Sequence, residues 1–397
     1  MSECIQSGID YLMKQKYLVA MKEGILSSYS FLLVGTLFLI PTIFSISHEY
    51  TVYFEKLYIV TVGLFSVYAT FSMGEALGKS YDMNVRECGL MSVFVYLISL
   101  FSMESITLDV LGLGFFIGII LSILVVEILR FTFQVKSWDP LPETVPSAVS
   151  QSFMTLVPFL TLCILFGLVL PQFHCMDLLV RGIYQMMLWA DNLVVLLLVV
   201  FLTTFFWSVG MHGVTVVSMI LRPFWVCMIQ MNGIALIQGH QTFFISPEPL
   251  LQWFVWIGGS GTTIGLSFVF RFLMKSEHNK EIGRTSWISA LVNINEPVIF
   301  GTPIVSNKLM TIPFIAIPML CATITWFAFS SGWLHPICML GIWILPSPIG
   351  AFIVTGGDVR ALLLNLGLIV LSIVCYYPFA KVHDNRLLKE ENNKLEK

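Results

Sequence analysis

Charge is what this sequence lacks most. Asp, Glu, Lys and Arg make up 11% of its 397 residues, where a soluble domain carries about 25%. No polar block is large enough to fold as a separate soluble domain, so the length points to one membrane body. The net charge of −3 offers no basic surface for nucleic acid. A cleavable signal pattern is missing too: the first residues are polar, and the run 25–44 is long enough to span. The eight cysteines form no CxxC and no Cys/His cluster. Residues such as Cys163, Cys227, Cys321 and Cys375 sit singly in apolar segments and read as small hydrophobes, so neither a metal site nor a cofactor is expected. The GGSG at 258–261 lacks the lysine and spacing of a nucleotide-binding loop, and reads as a tight helix break or a backbone phosphate cradle. No internal repeat is visible.

What is present is apolar surface. The chain is 57% hydrophobic with a mean hydropathy of +0.85, the composition of an all-α polytopic membrane protein. Spans are expected at 24–44, 57–77, 88–103, 110–131 and 154–170. The loops between them alternate. Lys14, Lys16, Lys22, Lys79, Arg86, Arg130 and Lys136 fall on one side; His48, Glu49, Glu55, Lys56, Glu104 and Asp109 fall on the other. By the positive-inside rule the first side, and the N-terminus, is cytoplasmic. The segment 381–397 holds five basic residues and joins it, which implies an even number of spans. The proline-rich stretch 136–153 predicts turns followed by a short interfacial helix. Residues 177–190 predict another, with Arg181 and Gln185 towards head groups.

Beyond residue 193 the pattern fragments. A span at 193–209 runs into WSVGMHG, then an apolar run to Ile229 and a polar connection over 231–246. The apolar run 254–272 is interrupted by Gly258, Gly259, Ser260 and Gly261, and a basic loop follows with Arg271, Lys275, Lys280 and Arg284. A regular span is expected at 310–330 and the last one at 365–379, while 333–355 is broken by Pro336, Pro346 and Pro348. Interrupted segments beside regular ones are the pattern of a transporter's substrate site.

The fragment 291–307, LVNINEPVIFGTPIVSN, is the centre of that half. Asn293, Asn295 and Glu296 meet Pro297, Gly301 and Pro303, so polar side chains coincide with broken backbone. A carboxylate at bilayer depth costs at least ~2.5 kcal/mol, so Glu296 needs a purpose or a partner. It reads as a hydrogen-bond acceptor for a polar substrate, as a proton acceptor, or as a structural pairing for the broken backbone. His212, between Gly210 and Gly213, can donate and accept, as sugar hydroxyls require, or can be a satisfied core histidine. Trp207, Trp253, Trp256, Trp333 and Trp343 are candidates for stacking on a sugar ring or for simple packing; Trp343, in a proline-broken segment, is the preferred one. Asp191 and Asp358 lie at span ends as solvated or capping groups. Glu127 and Arg130 fit a simple ion pair on one helix face.

Several of these stretches resemble one family. NINEPVIFGTPIVSN is similar to the Asn-Glu-Pro motif of phosphotransferase-system membrane permeases, the enzyme IIC components of the lactose/cellobiose/chitobiose branch. WSVGMHG resembles that branch's Trp-x-x-Gly-x-His-Gly segment, with Met211 where Ile is usual. PLPETVPSAVSQSFMTLVP resembles its Pro-Glu-Ser-Val-Pro helix, with Thr144 in place of Ser. FVWIGGSGTTIGL, FIVTGGDVRALLLNL and YYPFAKVHDN match further segments in the same order. The resemblance spans nearly the whole chain, weakest over 45–135, and the chain is shorter than the pattern, mainly at the N-terminus.

The resemblance implies a homodimer in the bacterial cell membrane, with about ten spans per chain, two re-entrant hairpins, amphipathic interfacial helices and both termini cytoplasmic. It implies a five-span interface domain at 1–190, a transport domain at 191–380 and a cytoplasmic tail at 381–397. A β-linked disaccharide would be carried inward and phosphorylated by a separate enzyme IIB, itself charged by enzyme IIA. His212, Asn295 and Glu296 become the expected sugar contacts, Glu296 at the reacting hydroxyl, and Trp343 a stacking residue. No cysteine or histidine here has an enzyme IIB or IIA context, so the phosphoryl donor lies on another chain. The competing classes are a proton-coupled sugar transporter, with Glu296 as carrier and His212 in its relay, and a membrane sugar sensor.

Overall fold

The computed structural model describes residues 8, 11, 14–44, 48–101, 108–134, 147–240, 244–302, 304 and 307–395. All regular structure among the described residues is helical. Seven described helices are long and apolar enough to cross a bilayer, or up to eight with a bent pair counted as one span, so the chain is multi-pass. The proline-rich turn expected over 136–146, and Pro303, lie outside the described residues. The chain divides into two compact units, Ser7–Phe38 with Ser47–Trp189, and Ala190–Lys397 with Leu39–Ile46.

The first unit is built from regular helices. These are α1 (Lys16–Leu37), α2 (His48–Tyr58), α3 (Phe65–Ser80), α4 (Val85–Phe101), α5 (Leu108–Gln134), α6 (Ser147–Ile164) and α7 (Cys175–Ala190). A π turn at Ile59–Gly63 joins α2 to α3. Helix α3 is central, packed by α1, α4 and α5. Small residues allow these backbones to approach: Gly24 meets Ala69 and Met73, Gly74 meets Cys88 and Ser92, and Gly118 meets Thr70. The apolar core between them holds Met73, Leu77, Val95, Leu121 and Val125. Hydroxyls stay local, Thr70 donating to Ser66 O at 2.6 Å, Ser92 to Cys88 O at 2.8 Å and Ser99 to Val95 O at 2.8 Å.

At one end of this unit the Glu127–Arg130 pair (3.1 Å) is part of a larger cluster. The Glu127 carboxylate also accepts from Tyr17 and Tyr81 hydroxyls at 2.9 and 2.5 Å. Lys16 Nζ and the Arg130 guanidinium lie 4.2 and 4.3 Å from the Tyr81 ring centre. Helix α7 has the amphipathic character read from its sequence: Ile183 and Met187 are buried, while Arg181 and Gln185 are exposed.

The second unit has α8 (Leu193–Ser208), α9 (Gly213–Ile237), α10 (Ile264–Phe272), α11 (Glu277–Leu291), α12 (Glu296–Gly301), α13 (Lys308–Ser330), α14 (Ser347–Val354) and α15 (Val359–Leu395). Here one expectation is corrected, and the expected tail gains a structure. The polar connection placed at 231–246 starts later, because α9 runs to Ile237 with Met231–Ala235 buried. Asn232 looked like a loop residue because it is polar. Its amide is a buried tie, donating to Phe244 O and Ile337 O at 2.8 Å each and accepting from Phe244 N at 3.1 Å. The segment beyond Lys381, read as a tail, continues helix α15 to Leu395. Asp384 on that extension accepts from Lys275 N (2.9 Å), Ser276 N (3.0 Å), Ser276 Oγ (2.6 Å) and Asn279 Nδ2 (2.9 Å), closing the start of α11.

Non-helical backbone in this unit is tied by side chains throughout. Asp191 accepts from Ile245 N at 2.8 Å and Ser246 N at 2.9 Å. Asn365 donates to Trp253 O at 2.5 Å, and Tyr376 donates to Gly261 O at 2.6 Å. Asp358 accepts from His335 N, Arg360 N and Arg360 Nε at 2.9 Å each, capping α15. Asp358 is therefore a capping group, and Asp191 a tie to the 245–246 loop rather than a solvated end. Each tie supplies a partner that a helix or bulk water would otherwise give.

Candidate functional site

The interrupted segments of the second unit converge on a cavity of about 220 Å³. Its wall comes from the α8–α9 turn (Trp207, His212, Val214), the segment before α10 (Gln252, Trp256, Gly259, Ser260), the α11–α12 turn (Asn293, Ile294, Asn295, Glu296) and Trp343. His212, Asn295, Glu296 and Trp343 are thus brought to one place from positions 131 residues apart at the extremes, 212 to 343.

Turn chemistry positions each group. Gly213 lets the start of α9 touch α8, since a Cβ there would overlap the Thr203 carbonyl oxygen. Gly259 has φ +100°, and a Cβ on it would overlap the Asn295 side chain. Asn293, at φ 62°, holds three segments together. Its Oδ1 accepts from Gly258 N (3.2 Å) and Ser347 Oγ (2.6 Å), and its Nδ2 donates to Trp343 O (3.2 Å) and Leu345 O (3.0 Å). Asn295 donates through Nδ2 to Ser260 O at 2.8 Å, while Trp207 Nε1 donates to Ser260 Oγ at 3.0 Å. The Asn295 amide therefore works first on the GGSG turn, which reads as a tight break. Its glycine φ values of 73°, 100° and 87° at Gly258, Gly259 and Gly261 fit that reading.

His212 is the N-cap of α9. Its Nδ1 accepts from Thr215 N at 3.2 Å and lies 2.9 Å from Thr215 Oγ1. A nitrogen that accepts a backbone N–H carries no proton, so the neutral ring places its hydrogen on Nε2. That Nε2 is 3.9 Å from Glu296 Oε1. The separation is too long for a direct hydrogen bond and leaves room for an oxygen bonded to both. The Trp207 ring, with its centre 4.4 Å from that of His212, backs the imidazole at 46°. Glu296 is the first residue of α12, and its side chain is 45% exposed. Among the described residues it is the only Asp, Glu, Lys or Arg on the wall. The unit's other nearby carboxylate, Glu248, is closed off by Arg222 Nη2 at 2.8 Å.

The remaining tryptophans separate. Trp343 is 39% exposed and faces the cavity, whereas Trp253 is fully buried in packing against Gly341 and Gly350. Trp333 is exposed and lies off the wall. Sequence reading passed over Gln252. An uncharged amide between Leu251 and Trp253, within an apolar run, was the available signal. Among the described residues no group of three or more His, Cys, Asp or Glu could hold a metal ion.

Comparison with known proteins places the chain. The family model described as phosphotransferase system, EIIC matches residues 22–318. The chain is 27% identical to the putative permease IIC component YwbA of Bacillus subtilis (strain 168), over 95% of this chain and 93% of that protein. It is 26% identical to the lichenan permease IIC component of the same organism, over 96% and 92%. It is 25% identical to the lactose-specific EIICB component of Staphylococcus aureus (strain COL), over 97% of this chain and 72% of that one. The solved structure of the transporter ChbC, the IIC component of an N,N'-diacetylchitobiose-specific phosphotransferase system, superposes with a TM-score of 0.86 at 25% identity, covering 98% of both chains. With a family match across most of its length and a fold shared from end to end, this chain belongs to the EIIC family of the phosphotransferase system.

Proposed function

We propose that this chain binds a β-linked disaccharide in the cavity of its second unit and carries it inward for phosphorylation by a separate enzyme IIB. The sugar 6-hydroxyl sits between His212 Nε2 and Glu296 Oε1. The observation that carries this reading is their 3.9 Å separation, with the His212 proton fixed on Nε2. One hydroxyl oxygen accepts from the imidazole, and its own proton points to the carboxylate. In the transfer step the hydroxyl oxygen attacks phosphorus and the P–S bond of the donor's phosphocysteine breaks. The thiolate leaves and the hydroxyl proton passes to Glu296. Trp343 stacks on the sugar, and Asn295 contributes from the GGSG side.

The product carries about two added negative charges. Among the described residues the wall holds no Lys or Arg, so once Glu296 has released its proton to water, repulsion between the two anions drives the product out of the cavity. The names of the relatives, lichenan, lactose and diacetylchitobiose, support a disaccharide or longer β-linked sugar. The EIICB relative, of which this chain covers 72%, supports an enzyme IIB partner. The basic residues Arg271, Lys275, Lys280 and Arg284 attract that partner. In this reading the chain is a homodimer with about ten crossings, two re-entrant hairpins and cytoplasmic termini. Residues 1–190 form the interface domain, 191–380 the moving domain and 381–397 its cytoplasmic end.

The test is transport and phosphorylation in proteoliposomes, with phosphorylated enzyme IIB added. Glu296→Gln is expected to lower sugar phosphorylation by about 10²-fold or more. Equal activity in that variant would remove Glu296 from the chemistry. Uptake of unmodified sugar, driven by a pH gradient without the donor, would overturn the reading in favour of proton coupling.

A further inference from the structure

One polar group on the cavity wall has no task in the mechanism above. Gln252 is only 2% exposed, yet its Nε2 is shielded from solvent with no protein acceptor. It sits in the π turn Leu251–Val255, whose geometry is fixed by Trp256 N donating to Leu251 O at 2.7 Å. One turn on, Trp256 is 3% exposed, and its Nε1 is likewise buried without an acceptor. The Trp256 ring is held edge-on to Trp225, with centres 6.5 Å apart. Both side chains line the cavity. The other amides there are occupied: Asn293 spends both ends on backbone and Ser347, and Asn295 bonds the GGSG turn.

Buried donors without acceptors are uncommon because each loses its water without replacement. Both belong to residues of one cavity wall, where a bound molecule can supply the missing acceptors. Glu296, at the open side, accepts; Gln252 and Trp256, at the closed side, donate.

We propose that Gln252, seconded by Trp256, is a specificity-determining contact that donates to hydroxyl oxygens on the far edge of the same sugar ring whose 6-hydroxyl meets Glu296. This rests on the sugar reading of the cavity and deepens it. Recognition is then concentrated on the enclosed ring, which must present acceptor oxygens opposite its reactive hydroxyl. The second ring lies towards the open side, where selection is looser. Loss of a hydroxyl that a buried donor reads is penalised heavily, whereas a change on the open ring costs little.

The experiment is calorimetric binding to the full-length purified chain in detergent. The probes are cellobiose and its single-deoxy analogues on the non-reducing ring. Gln252→Leu is expected to weaken cellobiose binding at least tenfold. At least one deoxy analogue should bind parent and variant equally, because oxygen and donor form one interaction. The same variant should melt no lower, or higher, than the parent without sugar, since it removes an unpaired buried donor. Trp256→Phe repeats the binding test with the ring retained. Unchanged cellobiose binding in both variants, or the same loss for every analogue, overturns the assignment while leaving the cavity's role intact. A Gln252→Leu protein that melts well below the parent would make Gln252 structural and also overturns it. Failure of the parent to bind any β-linked disaccharide overturns the sugar reading itself, and this one with it.

Discussion

The two units handle the same problem, polar backbone in an apolar setting, in opposite ways. In the first, long helices satisfy their own backbone, and hydroxyls fold back on carbonyls of the same helix, as Ser99 does on Val95 O at 2.8 Å. Contacts between helices come from small residues, and the Tyr96 hydroxyl donating to Ser66 Oγ at 2.7 Å is one of few polar links across them. In the second, the backbone leaves the helix repeatedly, and amides, carboxylates and a phenol reach across more than 100 residues to satisfy it. The difference teaches how to sort polar residues around a transport cavity. Those whose hydrogen bonds are filled by backbone are scaffold; in the proposed reading, those left over on the cavity wall are the ligand groups. Asn232 and Asn293 fall in the first class, and Glu296, His212 Nε2 and Gln252 are proposed for the second.

That sorting breaks most visibly at Asn293. Asn293→Ala removes four hydrogen bonds and puts alanine at φ 62°. At about 1 kcal/mol per bond the loss is roughly 4 kcal/mol. Thermal melting of the purified protein should fall by about 5 °C. A variant that melts like the parent but loses sugar would move Asn293 to the ligand class. Next comes the first unit. Gly118→Ala drives a Cβ into Thr70, and overpacking of this kind costs about 1–3 kcal/mol. Melting should drop while the dissociation constant for sugar, measured on folded protein, stays unchanged.

His212 has one foot in each class. His212→Asn keeps an N-cap acceptor and loses the Nε2 donor, so sugar binding should weaken about tenfold, ~1.4 kcal/mol, at unchanged melting temperature. His212→Ala should also lose about 1 kcal/mol of stability through the missing cap. If both variants melt alike and bind alike, the division of labour within that ring fails.

The smallest effect is expected in acid. Burial works to raise the Asp358 carboxyl, but the bonds from Arg360 and from His335 N–H outweigh it and hold the group below the ordinary carboxylate value. A depressed folded value means the cap's stabilisation is complete above the unfolded value of about 3.9 and is lost as pH falls through the folded one. Melting curves from pH 6 downwards should show this dependence in the parent and less of it in Asp358→Asn.

Much of the architecture was legible from hydropathy, because a run of apolar residues long enough to span has few alternatives to a helix in lipid. The break at 291–307 was legible for the same reason in reverse, since Pro297 and Gly301 stand where a helix would need neither. What stayed hidden was the partner of each polar residue. Asn232 and Gln252 are both amides in apolar surroundings, and nothing local distinguishes the tie from the ligand group. Trp253 and Trp343 are equally aromatic in sequence. The glycines that close Trp253 into packing, Gly341 and Gly350, are almost 100 residues away in the chain. Likewise the end of α15 read as a charged tail, because the acceptor role of Asp384 depends on Ser276 and Asn279, which the chain reaches more than 100 residues earlier.

Helix α15 touches, in turn, the π turn through Asn365, the glycine turn through Tyr376 and the start of α11 through Asp384. At ~1.5 Å per residue, Asn365 and Asp384 are about 28 Å apart along a single rod. The cavity wall and that distant helix end are therefore bolted to one lever. A tilt of the wall is delivered to the start of α11 without any intervening loop to absorb it. Pro378 removes one rung of the helix between the last two attachment points, and it is there that the lever bends first.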